Sequence, residues 1–146
     1  MRFTHLALPA ALLVGAASAD TANCWGKALH PTTESLKYAI KKMDEIASAP
    51  STFYPGGARE DPKWLWLPVN HCEEVACYKG AQVRWCNDDT EKFRWMPIQY
   101  VVDGVRVLLR ECRAVHDGEI VAGGMLTHPD KWSITVQAED ACKGKK

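Results

Sequence analysis

The chain carries no net charge. Eighteen Lys and Arg stand against eighteen Asp and Glu in 146 residues, and the pI is near 6.9. Without a strong field, neither wrapping of a nucleic-acid backbone nor adhesion to an anionic membrane is expected. No apolar run reaches the ~20 residues that a ~30 Å hydrocarbon layer requires, so stable membrane insertion is not expected either. The sequence also lacks a Gly-x-Ser-x-Gly elbow, a His-Glu-x-x-His pair and a phosphate loop, which leaves no motif for hydrolysis, zinc proteolysis or nucleotide binding. No Asn-x-Ser/Thr acceptor is present: Asn23, Asn70 and Asn87 are followed two residues on by Trp25, Cys72 and Asp89. Internal repeats, heptads and low-complexity segments are missing as well. What remains has the size of one domain, with a protein, a glycan or a small molecule as partner and no cofactor expected.

Residues 1–19 read as an export leader. Arg2 gives a short positive start, residues 6–17 are apolar apart from Pro9 and Gly15, and Ala17-Ser18-Ala19 has the small-x-small form that a signal peptidase cuts. The expected mature chain, residues 20–146, is a single cysteine-rich domain. It loses Arg2, leaving 17 basic against 18 acidic side chains.

All six cysteines, Cys24, Cys72, Cys77, Cys86, Cys112 and Cys142, lie in that mature part. An even number bound for an oxidising compartment predicts three disulfides. Zinc is the competing reading, but the spacings Cys72-x4-Cys77 and Cys77-x8-Cys86 do not form the paired short knuckles of structural zinc sites, so no metal is expected.

Leu36, Ala39, Ile40, Met43, Ile46 and Ala47 recur at helical spacing while Lys37, Lys41, Lys42, Asp44 and Glu45 stay off that stripe. The helix should start at Pro31-Thr32-Thr33 and end at Pro50. Residues 50–62 are turn formers without a period and read as a long exposed loop. Residues 64–67 (Trp-Leu-Trp-Leu) read as a strand closed by Pro68, with Trp64 and Trp66 on one side. Residues 73–86 read as a hairpin. A three-residue Lys79-Gly80-Ala81 loop is expected, setting Val75 opposite Trp85 and Cys77 opposite Val83 on the inner face, because a two-residue loop would pair Val75 with Arg84.

Residues 98–114 offer two structures. Asp103-Gly104 is a strong hairpin signal, but Gln99, Asp103, Arg106, Arg110 and Arg113 fall at steps of four and three, opposite Ile98, Val101, Val102, Val105, Leu108, Leu109 and Cys112. That spacing favours a helix beginning near Pro97, with Pro97 in its first turn. Beyond a turn at 116–118, residues 120–126 read as a strand bulged or closely approached at Gly123-Gly124. Residues 132–137 read as another, with Trp132, Ile134 and Val136 inward. The expected fold is α+β: two helices packed on one face of a four- to five-stranded, mainly antiparallel sheet. Of the fifteen possible pairings, that arrangement favours Cys24–Cys142, Cys72–Cys86 and Cys77–Cys112.

His30, His71, His116 and His128, with Glu73, Glu74, Asp117, Glu119 and Asp130 nearby, are the candidates for a ribonuclease-like acid–base pair. No spacing brings a particular pair together, and each histidine sits in or beside a loop. Six Trp raise the alternative of a glycan platform at Trp64 and Trp66, which requires both to be exposed and coplanar. Arg84, Arg94, Arg106, Arg110 and Arg113 are interspersed with acids and read as a mixed solvated face.

Residues 101–105 (Val-Val-Asp-Gly-Val) through Cys112, then Gly123-Gly124 and residues 132–136 (Trp-Ser-Ile-Thr-Val), resemble the C-terminal half of small cysteine-rich proteins secreted by filamentous fungi. These are the smut-fungus killer toxins and the necrosis-inducing-factor type of effector, which pair two helices with an antiparallel sheet in an α/β sandwich. The upstream helix and the 75–86 hairpin fall in compatible places. The resemblance implies a secreted virulence effector or toxin that binds a target in a plant host or competing microbe without catalysis, with passage into host cells a further expectation. A monomer is expected, with Phe53, Tyr54, Arg59, Glu60, Trp64 and Trp66 as its recognition surface.

Overall fold

The computed structural model describes residues 20–50 and 61–146; the leader reading and the 51–60 part of the loop lie outside the described residues. Helix α1 (Thr33–Ser48) starts where the Thr32 hydroxyl accepts the Ser35 N–H at 3.2 Å, and stops at Ala49, which Pro50 holds extended. Its stripe of Leu36, Ala39, Ile40 and Met43 is buried. Helix α2 (Ile98–Glu111) bears out the helical reading of the ambiguous segment, with Pro97 just ahead of the first turn rather than in it. Gly104 is not a turn residue. A Cβ there would stand 2.5 Å from Ile134 Cδ1 and 2.8 Å from Leu126 Cδ2, so the glycine is what lets α2 lie close on the sheet.

Five strands, β1 (Thr21–Asn23), β3 (His71–Tyr78), β4 (Ala81–Asn87), β8 (Gly124–His128) and β9 (Trp132–Ala138), form one antiparallel sheet in the order β1-β8-β9-β4-β3. Both helices cover the same face, α1 over β3 and β4, α2 over β8 and β9. The buried side chains Val83, Trp85, Leu126, Ile134 and Val136 meet the helix stripes there. Trp132, Ile134 and Val136 point inward as the alternation demands.

Three expectations are corrected. The β3–β4 turn is the two-residue Lys79-Gly80, both left-handed (φ 49° and 86°), so Tyr78 pairs with Ala81 and Cys77 with Gln82. A bulge at Val75 then absorbs one residue, bringing Glu74 opposite Arg84 and Glu73 opposite Trp85, so Val75 never has to pair with Arg84. Second, the 120–126 strand is two strands. β7 (Glu119–Val121) pairs with β6 (Ala114–His116) in a separate ribbon, and the chain breaks at Gly123-Gly124 before β8. The backbones crowd at the break: a Cβ on Gly124 would collide with the Asn23 carbonyl oxygen.

Third, the disulfides are Cys24–Cys112, Cys72–Cys86 and Cys77–Cys142; only the second was expected. The turn register explains the exchange. Shifting the hairpin by one residue moves Cys77 from the helix face to the outer face, away from Cys112 and toward the C-terminal 3-10 turn at Asp140–Cys142. Cys112, at the end of α2, is left to meet Cys24, which follows the edge strand β1.

Candidate functional site

Outside the main sheet, β2 (Trp64–Leu67) pairs antiparallel with β5 (Arg94–Pro97), a strand the sequence reading missed. Directly opposed residues share a face, so Leu65, Met96 and Leu67 turn inward, with Leu67 and Met96 buried. The other face carries Trp64, Trp66 and Trp95, continued by Phe93. Trp66 stands opposite Trp95. On the diagonals, Trp64 meets Trp95 edge-on at 6.1 Å and 72°, and Trp66 meets Phe93 at 6.3 Å and 37°. The result is a ladder Phe93–Trp66–Trp95–Trp64. Its exposure is 63% at Phe93, 37% at Trp95 and 42% at Trp64, with Trp66 half-buried. Tyr100, in the first turn of α2, is also exposed.

The ribbon is held at both ends by polar contacts. Asn87, buried at the end of β4, donates from Nδ2 to the carbonyls of Pro68 (3.0 Å) and Lys92 (2.8 Å), the residues just after β2 and just before β5. Its Oδ1 accepts the Asp89 N–H at 3.2 Å. Asp89 in turn accepts the N–H groups of Glu91 and Lys92; the Glu91 bond is the main reason its carboxyl sits below the ordinary value. At the far end the Ile98 N–H donates to the Lys63 carbonyl at 2.8 Å. The ladder is therefore carried on a clamped frame.

His71 and His128 occupy separate places, while His116 lies near enough to His30 for its charge to bear on that ring. His71, Asn87, Trp132 and His128 stand in one register row across β3, β4, β9 and β8, so three strand spacings, about 14 Å, separate His71 from His128. His128 stacks on Trp132 at 4.5 Å, with Nε2 3.6 Å from Asp20 and Nδ1 accepting the Asp130 N–H at 3.0 Å. Both of its ring nitrogens face groups of the chain itself. His116 faces Asp117 at 3.3 Å. His30 is buried, its Nε2 on the Trp25 carbonyl at 2.7 Å; burial, ahead of the charges of Lys27 and His116, pushes its pKa down despite that bond. One cleft holds His71 with Asp61, Glu73 and Glu74, and a second holds His128 with Asp20, Asp103 and Asp130, one histidine in each.

Comparison with family models, curated proteins and solved structures finds no match to this chain.

Of the expected recognition residues, Trp64 and Trp66 are brought together on the ladder; Phe53, Tyr54, Arg59 and Glu60 lie outside the described residues. The ladder's other half was overlooked although its signal is present: Phe93-x-Trp95 repeats the aromatic alternation of Trp64-x-Trp66. Glu74 Cδ-carboxylate, Cys77 and Cys142 also lie close together, but both sulfurs are bonded to each other and offer no thiolate to a metal. No helix among the described residues is long and apolar enough to cross a membrane.

Proposed function

We propose that this is a secreted, non-catalytic recognition protein of the effector or toxin kind, which binds a protein of a host or competitor through the ladder Phe93–Trp66–Trp95–Trp64. The observation carrying the reading is that face of the β2–β5 ribbon: four aromatic side chains turned away from the core on a frame clamped by Asn87 and Asp89. Phe93, Trp95 and Trp64 leave apolar surface that the fold does not cover, and Trp is enriched among the anchors of protein interfaces. Three disulfides suit an extracellular setting, and the Ala17-Ser18-Ala19 leader pattern and the likeness to killer-toxin-like proteins supply the effector character. A glycan platform at Trp64 and Trp66 is less well supported, because it requires both to be exposed and Trp66 is half-buried. For the hydrolase alternative, the clefts at His71 and His128 each offer one histidine.

The test is capture of a target from plant-host and competing-microbe extracts by the immobilised mature protein. Trp64→Ala/Trp95→Ala should lose the captured protein while keeping its circular dichroism and three disulfides. Undiminished capture by that variant would overturn the reading.

A further inference from the structure

Beside the ladder, β5 has a pairing partner on one side only, and its other edge borders a cleft of about 690 Å³ against α2 and the β8–β9 turn. Trp64 and Trp95 line it from the ribbon, Tyr100 from α2 and Trp132 from β9. Three carboxylates reach the same cleft from three separate places: Asp20 ahead of β1, Asp103 on α2 and Asp130 in the β8–β9 turn. Arg94 is the one Lys or Arg among its lining residues, and its guanidinium already donates to the Asp130 main-chain carbonyl. Asp103 is engaged too, by Arg106 at 3.2 Å. Asp20 and Asp130 are different. Within ion-pair distance each faces only His128, at 3.6 and 3.7 Å, and neither has a Lys or Arg partner among the described residues.

Two part-exposed indoles and a phenol thus line the same cleft as three carboxylates and a single guanidinium. Aromatic faces and carboxylates attract the same ligand class, a cation, and a guanidinium suits both: its plane stacks on indole while its N–H fork meets carboxylate. An anionic occupant would be repelled by the cleft's excess of carboxylates over its one guanidinium. We infer that this cleft takes an arginine side chain from a basic segment of the partner. The inference rests on the preceding reading, in which the ladder binds a protein; the ladder provides contact area and the cleft selects charge.

The full chain is titrated at low ionic strength with a hexa-arginine peptide, followed by tryptophan fluorescence, with a hexaglutamate peptide as the opposite-charge control. Saturable binding of hexa-arginine alone is expected, about tenfold weaker in Asp20→Asn/Asp130→Asn. Asp117→Asn/Glu119→Gln, the same charge change on the β6–β7 ribbon at the other end of β8, should bind as the parent does. No saturable binding of hexa-arginine, or equal weakening in the two double variants, overturns the inference. Target capture separates the two claims. If the Asp20/Asp130 variant captures the target fully while the Trp64/Trp95 variant fails, the ladder stands and the arginine site falls; if both capture it fully, both fall.

Discussion

The sheet–helix body and the β2–β5 ribbon use the same strand alternation to different ends. In β9 the inward Trp132, Ile134 and Val136 are buried while Thr135 and Gln137 on the reverse are polar, the pattern of a sheet covered on one side. The ribbon is covered on one side as well, by way of Leu65, Leu67 and Met96, yet its reverse carries Trp and Phe. The difference teaches where to look for function: apolar side chains that the core has no use for mark contact with something else. The means of restraint differ too. Three disulfides staple the body, whereas the ribbon is fastened by hydrogen bonds that Asn87 and Ile98 donate and Asp89 accepts.

That contrast can be broken at several points, the largest effect coming first. Cys24→Ala/Cys112→Ala removes a bridge spanning 88 residues and should cost about 4–5 kcal/mol in urea unfolding, against about 3 kcal/mol for Cys72→Ala/Cys86→Ala with its span of 14. Equal costs would show that the chain-entropy account does not govern this body. Gly104→Ala is next. Helix propensity alone favours Ala by about 1 kcal/mol, but the new methyl would stand 2.5 Å from Ile134 Cδ1, and the net expectation is a loss of about 1–2 kcal/mol. A gain in melting temperature would mean that α2 does not lie that close to β8 and β9.

On the ribbon, Trp64→Ala/Trp95→Ala gives up an edge-to-face pair worth about 1 kcal/mol together with the area the two part-exposed indoles bury, and the fold should survive while target capture is lost. A collapse of the fold in that variant would make the ladder structural and erase the distinction between the two regions. The mildest probe is pH. The fold holds His30 neutral, its pKa below the ordinary 6.5, so this contribution to stability is complete above pH 6.5 and is lost as pH falls through the lowered folded value. Unfolding midpoints should therefore drop on acidification, and NMR titration of the His30 ring should give a midpoint below 6.5; one above it would contradict the burial argument.

Much of the body was legible because it is locally encoded. The α1 stripe of Leu36, Ala39, Ile40 and Met43 and the spacing of Gln99, Asp103, Arg106 and Arg110 repeat within a few residues, and that is enough to choose helix over the Asp103-Gly104 hairpin. The 79–81 turn was not legible, because the bulge that reconciles a two-residue loop with Trp85 facing inward is a compromise between β3 and β4 that neither strand displays alone. The site was half legible. Trp64 and Trp66 announce themselves, but their use depends on β5, which pairs with β2 from some thirty positions away, and on Asn87, a single polar residue at a strand end with no pattern around it.

The chain's own residues thus determined its two helices, the 73–86 hairpin, the 132–137 strand, its cysteine parity and its amphipathic faces, since periods of 3.6 and 2 are written in neighbouring positions. Register, bridge partners and the joining of β2 to β5 were decided only in three dimensions. With a side-chain period of two, a slip of one residue exchanges the faces of a strand, and only contact with distant elements shows whether Cys77 looks toward Cys112 or Cys142.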